Sequence, residues 1–254
     1  MEIHAQHLHK APGKKWTHYL FEFLMLFLAV FCGFLAENQR EHMVERRREK
    51  DYMINMLEDI KADTVNLNRI INSRTKKDHA LDSLSHMMNG KSPGDFAKEI
   101  YFYAASIART LPYRFVPNDG TMLQLKNSGS MRLIHKRAVV DSIIKYDVNV
   151  RNILGQWAVE ESIIEFYRTA ATKIFDALAF EQMFDENLNV VRLPVNDPAF
   201  QSYSKRELYE WNYRIYGMKA INKANRRDER LLLQQAINLL NTLRKEYRIN
   251  EEKI

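Results

Sequence analysis

Eighteen consecutive residues, Tyr19 to Ala36 (YLFEFLMLFLAVFCGFLA), carry a single charge, that of Glu22. Counted from Trp16 the block has 21 positions, roughly 30 Å as an α-helix, which is the hydrocarbon thickness of a bilayer. A buried core helix is rarely apolar on every face for this length. Trp16 and Tyr19 at its head suit the membrane–water interface. Cleavage as a signal peptide after Ala36 would place Phe34 where a small residue is needed, and a lipoprotein signal would place Phe31 before Cys32. The block therefore reads as an uncleaved transmembrane helix over residues 16–37. Before it lies a polar, His-containing tail, 1–15, and after it come a charged juxtamembrane stalk, 38–60, and a helical bundle, 61–254.

Within the span, Glu22 shares a helix face with Met25, Ala29, Gly33 and Ala36. A carboxylate inside the bilayer costs about 2.5–3.5 kcal/mol at the centre and less near an interface. Ala29 and Gly33 form a small-xxx-small pair that lets two helix backbones approach closely. Glu22, Ala29, Gly33 and Ala36 are thus the candidate surface for pairing with a second copy or another membrane protein. The competing reading has Glu22 snorkelling to the headgroups and the small residues without a role. Orientation stays open on charge: the flank after the span carries Arg40, Arg46, Arg47, Arg48 and Lys50, against Lys10, Lys14 and Lys15 before it. Counting bases alone favours a cytoplasmic C-terminal flank. Interleaved acids bring that flank to neutrality and favour the opposite.

The remaining sequence has no strand pattern, and 8 Gly and 6 Pro in 254 residues are too few for a turn-dense β fold. Apolar residues at Met53, Leu57, Ile60, Leu67 and Ile71, with Thr64 in register, predict one edge of a helical bundle. The turn signals of NGKSPGD end that helix after Met88. Further helices are expected over Phe96–Leu111, Thr121–Lys126, and Lys136 to about Phe184 with a kink at Gly155. Ser204-Lys205-Arg206-Glu207 is a capping box opening a last amphipathic helix. Gly129 suits a left-handed helix end. The expected fold class is all-α: a single transmembrane helix continuing into a long stalk helix and a bundle of four or five helices.

Chemistry-bearing patterns are sparse. No nucleophile elbow, phosphate loop, dinucleotide fingerprint or HExxH helix is present. One cysteine, Cys32, excludes an internal disulfide and a multi-cysteine metal site. The acid pairs Glu160-Glu161 and Asp59/Asp63 lack histidines at ligating offsets and read as solvated. His4, His7 and His9 are weak metal candidates, weighed against a plain polar tail. Lys219, Lys223, Arg226 and Arg230 lie within about 60° on one helix face. They offer a contact for anionic lipid or an acidic partner, worth on the order of 1 kcal/mol per charge at a membrane. A solvated face beside Asp228 and Glu229 is the alternative. A net charge of +6 without a reading fold does not support nucleic-acid binding. No cofactor is expected, and no enzyme.

Two stretches resemble a known group. HYLFEFLMLFLAVFCGFLAENQREH, followed by a charged helix ending in MLEDIKADT, is similar to the N-terminal anchor of an uncharacterised family of Bacteroidota single-pass membrane proteins. Gln124-Leu125-Lys126-Asn127-Ser128-Gly129 with Arg132-Leu133-Ile134 resembles that family's central motif, with Met131 where Leu is usual. The resemblance implies a bacterial inner-membrane location, with the N-terminus in the cytoplasm and the bundle in the periplasm. It implies no catalytic residues. Two functional expectations follow from the residues. The first is an anchored interaction or scaffold protein that self-associates or pairs through its membrane helix and stalk. The alternative is a ligand-sensing bundle, with an apolar pocket and a few converging polar groups, signalling through the membrane helix to a separate output partner.

Overall fold

The computed structural model describes residues 16–109, 113–187, 189–191, 193–194 and 196–249. Those residues are all-helical apart from turns, loops and one isolated bridge between Phe184 and Val190. Six α-helices follow in order: α1 (Trp16–Met88), α2 (Ala97–Ile107), α3 (Gly120–Asn127), α4 (Arg137–Ala171), α5 (Ala177–Glu181) and α6 (Lys205–Tyr247). The chain divides into two compact units, 1–51 and 52–254, and α1 contributes to both.

In the first unit, every residue from Trp16 to Val44 is exposed. The apolar block is helical, long and apolar enough to cross a membrane by length and composition. Phe23, Phe27 and Phe31 stack along one side at i,i+4 spacing.

The second unit is built on α4, α6 and the 52–88 part of α1. Met53–Ile70 of α1, Val139–Ile153 of α4 and Leu232–Leu243 of α6 share one apolar core. Leu81–Met88, Ile164–Ala171 and Trp211–Met218 share a second, together with α2. Early α1 thus meets early α4 and late α6, so α1 and α4 run parallel and α6 antiparallel to both. The predicted edge is buried at Met53, Leu57, Ile60, Leu67 and Ile71. Thr64 is only half-buried; Asp63 takes the inward position instead.

Two expected helices are shorter in the structure. α2 ends at Ile107 rather than Leu111. α4 ends at Ala171 rather than near Phe184, because the chain turns there to bury Ile174 and Phe175. Gly155 lies inside the unbroken α4.

Helix ends follow their local chemistry. Gly129 takes φ +67°, the left-handed conformation that closes the turn after α3. At the start of α6, the Glu207 amide donates to the Ser204 hydroxyl at 3.3 Å, and the Ser204 amide donates to the Glu207 carboxylate at 2.7 Å. Ser204→Ala removes one side of this exchange and is expected to cost about 1 kcal/mol, read as a lower urea midpoint with an unchanged slope.

Candidate functional site

Between the two apolar cores the core-facing stripe turns polar on all three long helices. On α6 the buried positions step by three or four from Trp211 through Ile215, Met218, Asn222, Asn225, Glu229 and Leu232 to Leu243. On α4 the same spacing puts Glu160 between Ile153 and Ile164. On α1, Arg74, Lys77 and Asp78 fall between Ile70 and Leu81. Helical periodicity therefore aims seven polar side chains into one cross-section.

Arg74, 1% exposed, is the hub of that layer. Its Nε donates to both Glu229 oxygens at 2.7 and 2.8 Å. Its Nη1 and Nη2 each donate to a Glu160 oxygen at 2.9 Å, a parallel pair of charge-assisted bonds. Nη1 also reaches Asn222 Oδ1 at 3.2 Å, and Nη2 the Tyr113 carbonyl at 3.3 Å. Asn225 donates to Glu160 Oε2 at 2.7 Å, and Asn222 to Asp78 Oδ1 at 2.7 Å. Arg226 closes the edge in an ion pair with Asp78.

The two glutamates respond differently to this burial. Burial alone raises the Glu160 carboxyl, but the Arg74 hydrogen bonds and charge, with Lys77 and Asn225, hold it below the usual carboxylate range. Burial pushes Glu229 up to about 7, since its Arg74 contact only partly offsets burial and the negative Glu160 and Asp228 nearby. Lys77 is lowered to about 8 by burial, with the Glu160 charge working the other way.

A second polar anchor sits in the first core. Asp63 accepts from the Asn118 amide at 2.8 Å, the Asn118 side chain at 2.9 Å and the Tyr146 hydroxyl at 2.7 Å. Asp59 accepts from the Thr121 amide at 3.0 Å. These bonds tie the loop before α3 to α1 and α4. Asp59/Asp63 and Glu160 are thus not the solvated acids that their lack of ligating histidines suggests, because Asp63 and Glu160 lie on buried helix stripes and find donors there; Glu161 is exposed. Among the described residues no group of three His, Cys, Asp or Glu is placed to hold a metal.

The second core also contains an open cleft of about 580 Å³. Small residues on one face of α2 and its C-terminal cap, Ala104, Ala105 and Ala108, leave the space, and Tyr167, Phe175 and Phe180 wall it. Arg109, Arg168, Thr172, Asn187 and Gln201 add polar groups to the lining. Arg168 is held in place by donating to the Ala108 carbonyl at 2.7 Å. Gln201 is fixed through its amide to the Ile174 carbonyl at 2.9 Å. The size and the mainly apolar wall match a small-molecule site.

The residues singled out from the sequence are dispersed. His4, His7 and His9 lie outside the described residues. Glu22 has its carboxylate 3.3 Å from His18 Nε2, one turn earlier, and Ala29, Gly33 and Ala36 are exposed on the same helix. Of the basic stripe, Lys219 pairs with Asp82 at 2.7 Å and Arg226 with Asp78, while Lys223 and Arg230 are exposed. Glu229, read beside that stripe as solvated, is 1% exposed, because it falls about 90° round the helix from the basic residues, on the core-facing side of α6. The signal that locates the buried layer is phase: three polar residues on α6 keep the three/four step of the apolar stripe. The cleft has no comparable signal beyond its run of alanines.

The chain matches no protein-family model, no curated protein and no solved structure.

Proposed function

We propose that this protein is a membrane-anchored ligand-binding bundle. The observation that carries the reading is the cleft of about 580 Å³, with alanine and aromatic walls and the cations of Arg109 and Arg168 among its lining. Such a site suits an amphipathic molecule with an apolar body and an anionic end. The apolar block at the start of α1 supplies the anchor, since its side chains, Glu22 apart, prefer hydrocarbon to water. Its likeness to Bacteroidota anchors supports a single-pass inner-membrane protein with the N-terminus in the cytoplasm and the bundle in the periplasm. Because α1 belongs to both units, a ligand-dependent change in the bundle has a covalent helical route to an output partner at the membrane.

Photo-crosslinking with a diazirine-bearing octanoate on the detergent-solubilised full chain tests this. Adducts are expected on Ala104–Arg109, Tyr167–Phe175 and Phe180. Ala108→Trp, which fills the cleft, is expected to remove them, and Arg168→Leu to weaken them about tenfold. Adducts confined to residues 16–37, or unchanged by Ala108→Trp, reject the site.

A second reading rests on a different observation. Ala29, Gly33 and Ala36 present an exposed small-residue face beside Glu22, and a side chain added at Gly33 would meet nothing within 4 Å in the isolated chain. That face supports an interaction protein that pairs with a second copy or a membrane partner through the helix. Gly33→Leu is expected to abolish disulfide crosslinking through Cys32 in membranes if the helices pair there.

A further inference from the structure

The face of α2 opposite the alanines borders a separate, partly open cavity of about 280 Å³, lined by Phe102, Tyr103, Ile107 and Tyr113 with Lys76 and Lys77 of α1. Lys77 is fully buried, and its ammonium has no hydrogen-bond partner among the described residues. It stands 3.7 Å from Glu160 Oε1, too far for a hydrogen bond, and 4.6 Å from the centre of the Tyr113 ring. Glu160 directs its shorter bonds elsewhere, Oε1 to Arg74 Nη1 and Oε2 to Arg74 Nη2 and Asn225, and meets Lys77 only in this longer ion pair. An ammonium carries three donors, and leaving them unmet inside a protein is expensive enough that a partner is expected.

The cavity wall is mainly aromatic and aliphatic carbon, with the hydroxyls of Tyr103, Tyr113 and Ser106, the last already donating to the Phe102 carbonyl at 2.8 Å. A ligand that brings its own acceptor on an apolar body satisfies both the cation and the wall. The exposed Lys76 at the cavity adds a second positive charge that favours entry of an anion.

We propose that this cavity is a second binding site, for a small aromatic monocarboxylate whose carboxylate accepts from Lys77 Nζ while its ring packs among Phe102, Tyr103 and Tyr113. The flat rings of the wall suit offset stacking of an aromatic body. The site is independent of the alanine-lined cleft, because the two lie on opposite faces of α2.

The test uses 4-fluorobenzoate and its neutral isostere 4-fluorobenzamide as probes, followed by fluorine NMR on the detergent-solubilised full chain. Saturable broadening is expected with the benzoate and at least tenfold weaker binding of the amide. Lys77→Met is expected to abolish benzoate binding, and Arg168→Leu to leave it unchanged. Ala80→Leu fills the cavity without touching the cation and is expected to abolish binding too, which keeps the test decisive should Lys77→Met not fold. The proposal is overturned by absence of saturable benzoate binding, by equal binding of the amide, or by binding that survives Ala80→Leu. Loss in Arg168→Leu with retention in Lys77→Met overturns it as well, by assigning the probe to the other cleft.

Discussion

Replacing Arg74 with Met is expected to destabilise the bundle by about 3–5 kcal/mol at neutral pH, the cost of breaking a buried ion pair from one side. Arg74 is 1% exposed and holds two glutamates through four short bonds. Removing it strands the Glu160 charge, and whatever charge Glu229 carries, in an interior where Lys77 stands 3.7 Å from Glu160 without a hydrogen bond to it. Lysine is no substitute, because a point charge cannot present the planar fork that spans both carboxylates. Removing the whole set has a different outcome. Arg74→Met combined with Glu160→Met and Glu229→Leu is expected to recover most of the loss, since apolar replacement of a buried ion network is often neutral or stabilising. Urea unfolding of the full chain in detergent measures both variants. A loss under about 1 kcal/mol for the single variant would show that the layer is hydrated and not a closed network.

The pH response of the same layer should run against the usual acid denaturation. Glu229 is raised to about 7 in the fold from an ordinary value of 4.5, chiefly by burial. The folded chain therefore holds this proton at pH values where the unfolded chain has released it. Its contribution to stability is fully present below about pH 4.5, declines as the pH rises through 7, and is constant above. At roughly 1.4 kcal/mol per unit the change is about 3 kcal/mol. Asp63, also raised by burial, acts in the same direction. Glu160, held below its ordinary value, acts in the opposite one, its contribution being lost only as the pH falls through its lowered folded pKa. Glu229→Gln cannot titrate, so its stability relative to the parent chain is expected to rise by about 3 kcal/mol between pH 4.5 and 8. Parallel stability–pH curves for the two chains would remove Glu229 as the titrating group. The Arg74→Met penalty should also shrink toward pH 5, where Glu229 already carries its proton.

Much of the fold was legible because helices are local objects. The stripe Met53, Leu57, Ile60, Leu67 and Ile71, the Ser204/Glu207 exchange and the left-handed Gly129 each depend on residues within a few turns of one another, and each is where the spacing puts it. The helix ends at Ile107 and Ala171 were not legible, because what stops α4 is the burial of Ile174 and Phe175 against other helices. The charged layer was misread for a related reason. Glu160, Glu229 and Asp63 each sit beside charged neighbours and resemble a wetted face. Their phase on the stripe places them inward, yet phase alone does not say whether an inward acid meets a cation.

The amino-acid order therefore determined the long apolar helix at the start, through the length of its uninterrupted apolar run, and the helical class of the described chain and the capping of its last helix, through spacings of three to four residues. The tertiary structure decided which charges are buried, that Arg74 joins Glu160 and Glu229 across separations of 86 and 155 residues, and that cavities flank both faces of α2. The physical reason is range: side-chain periodicity acts within one helix, whereas pairing a buried charge and leaving a space unfilled depend on how separate helices meet.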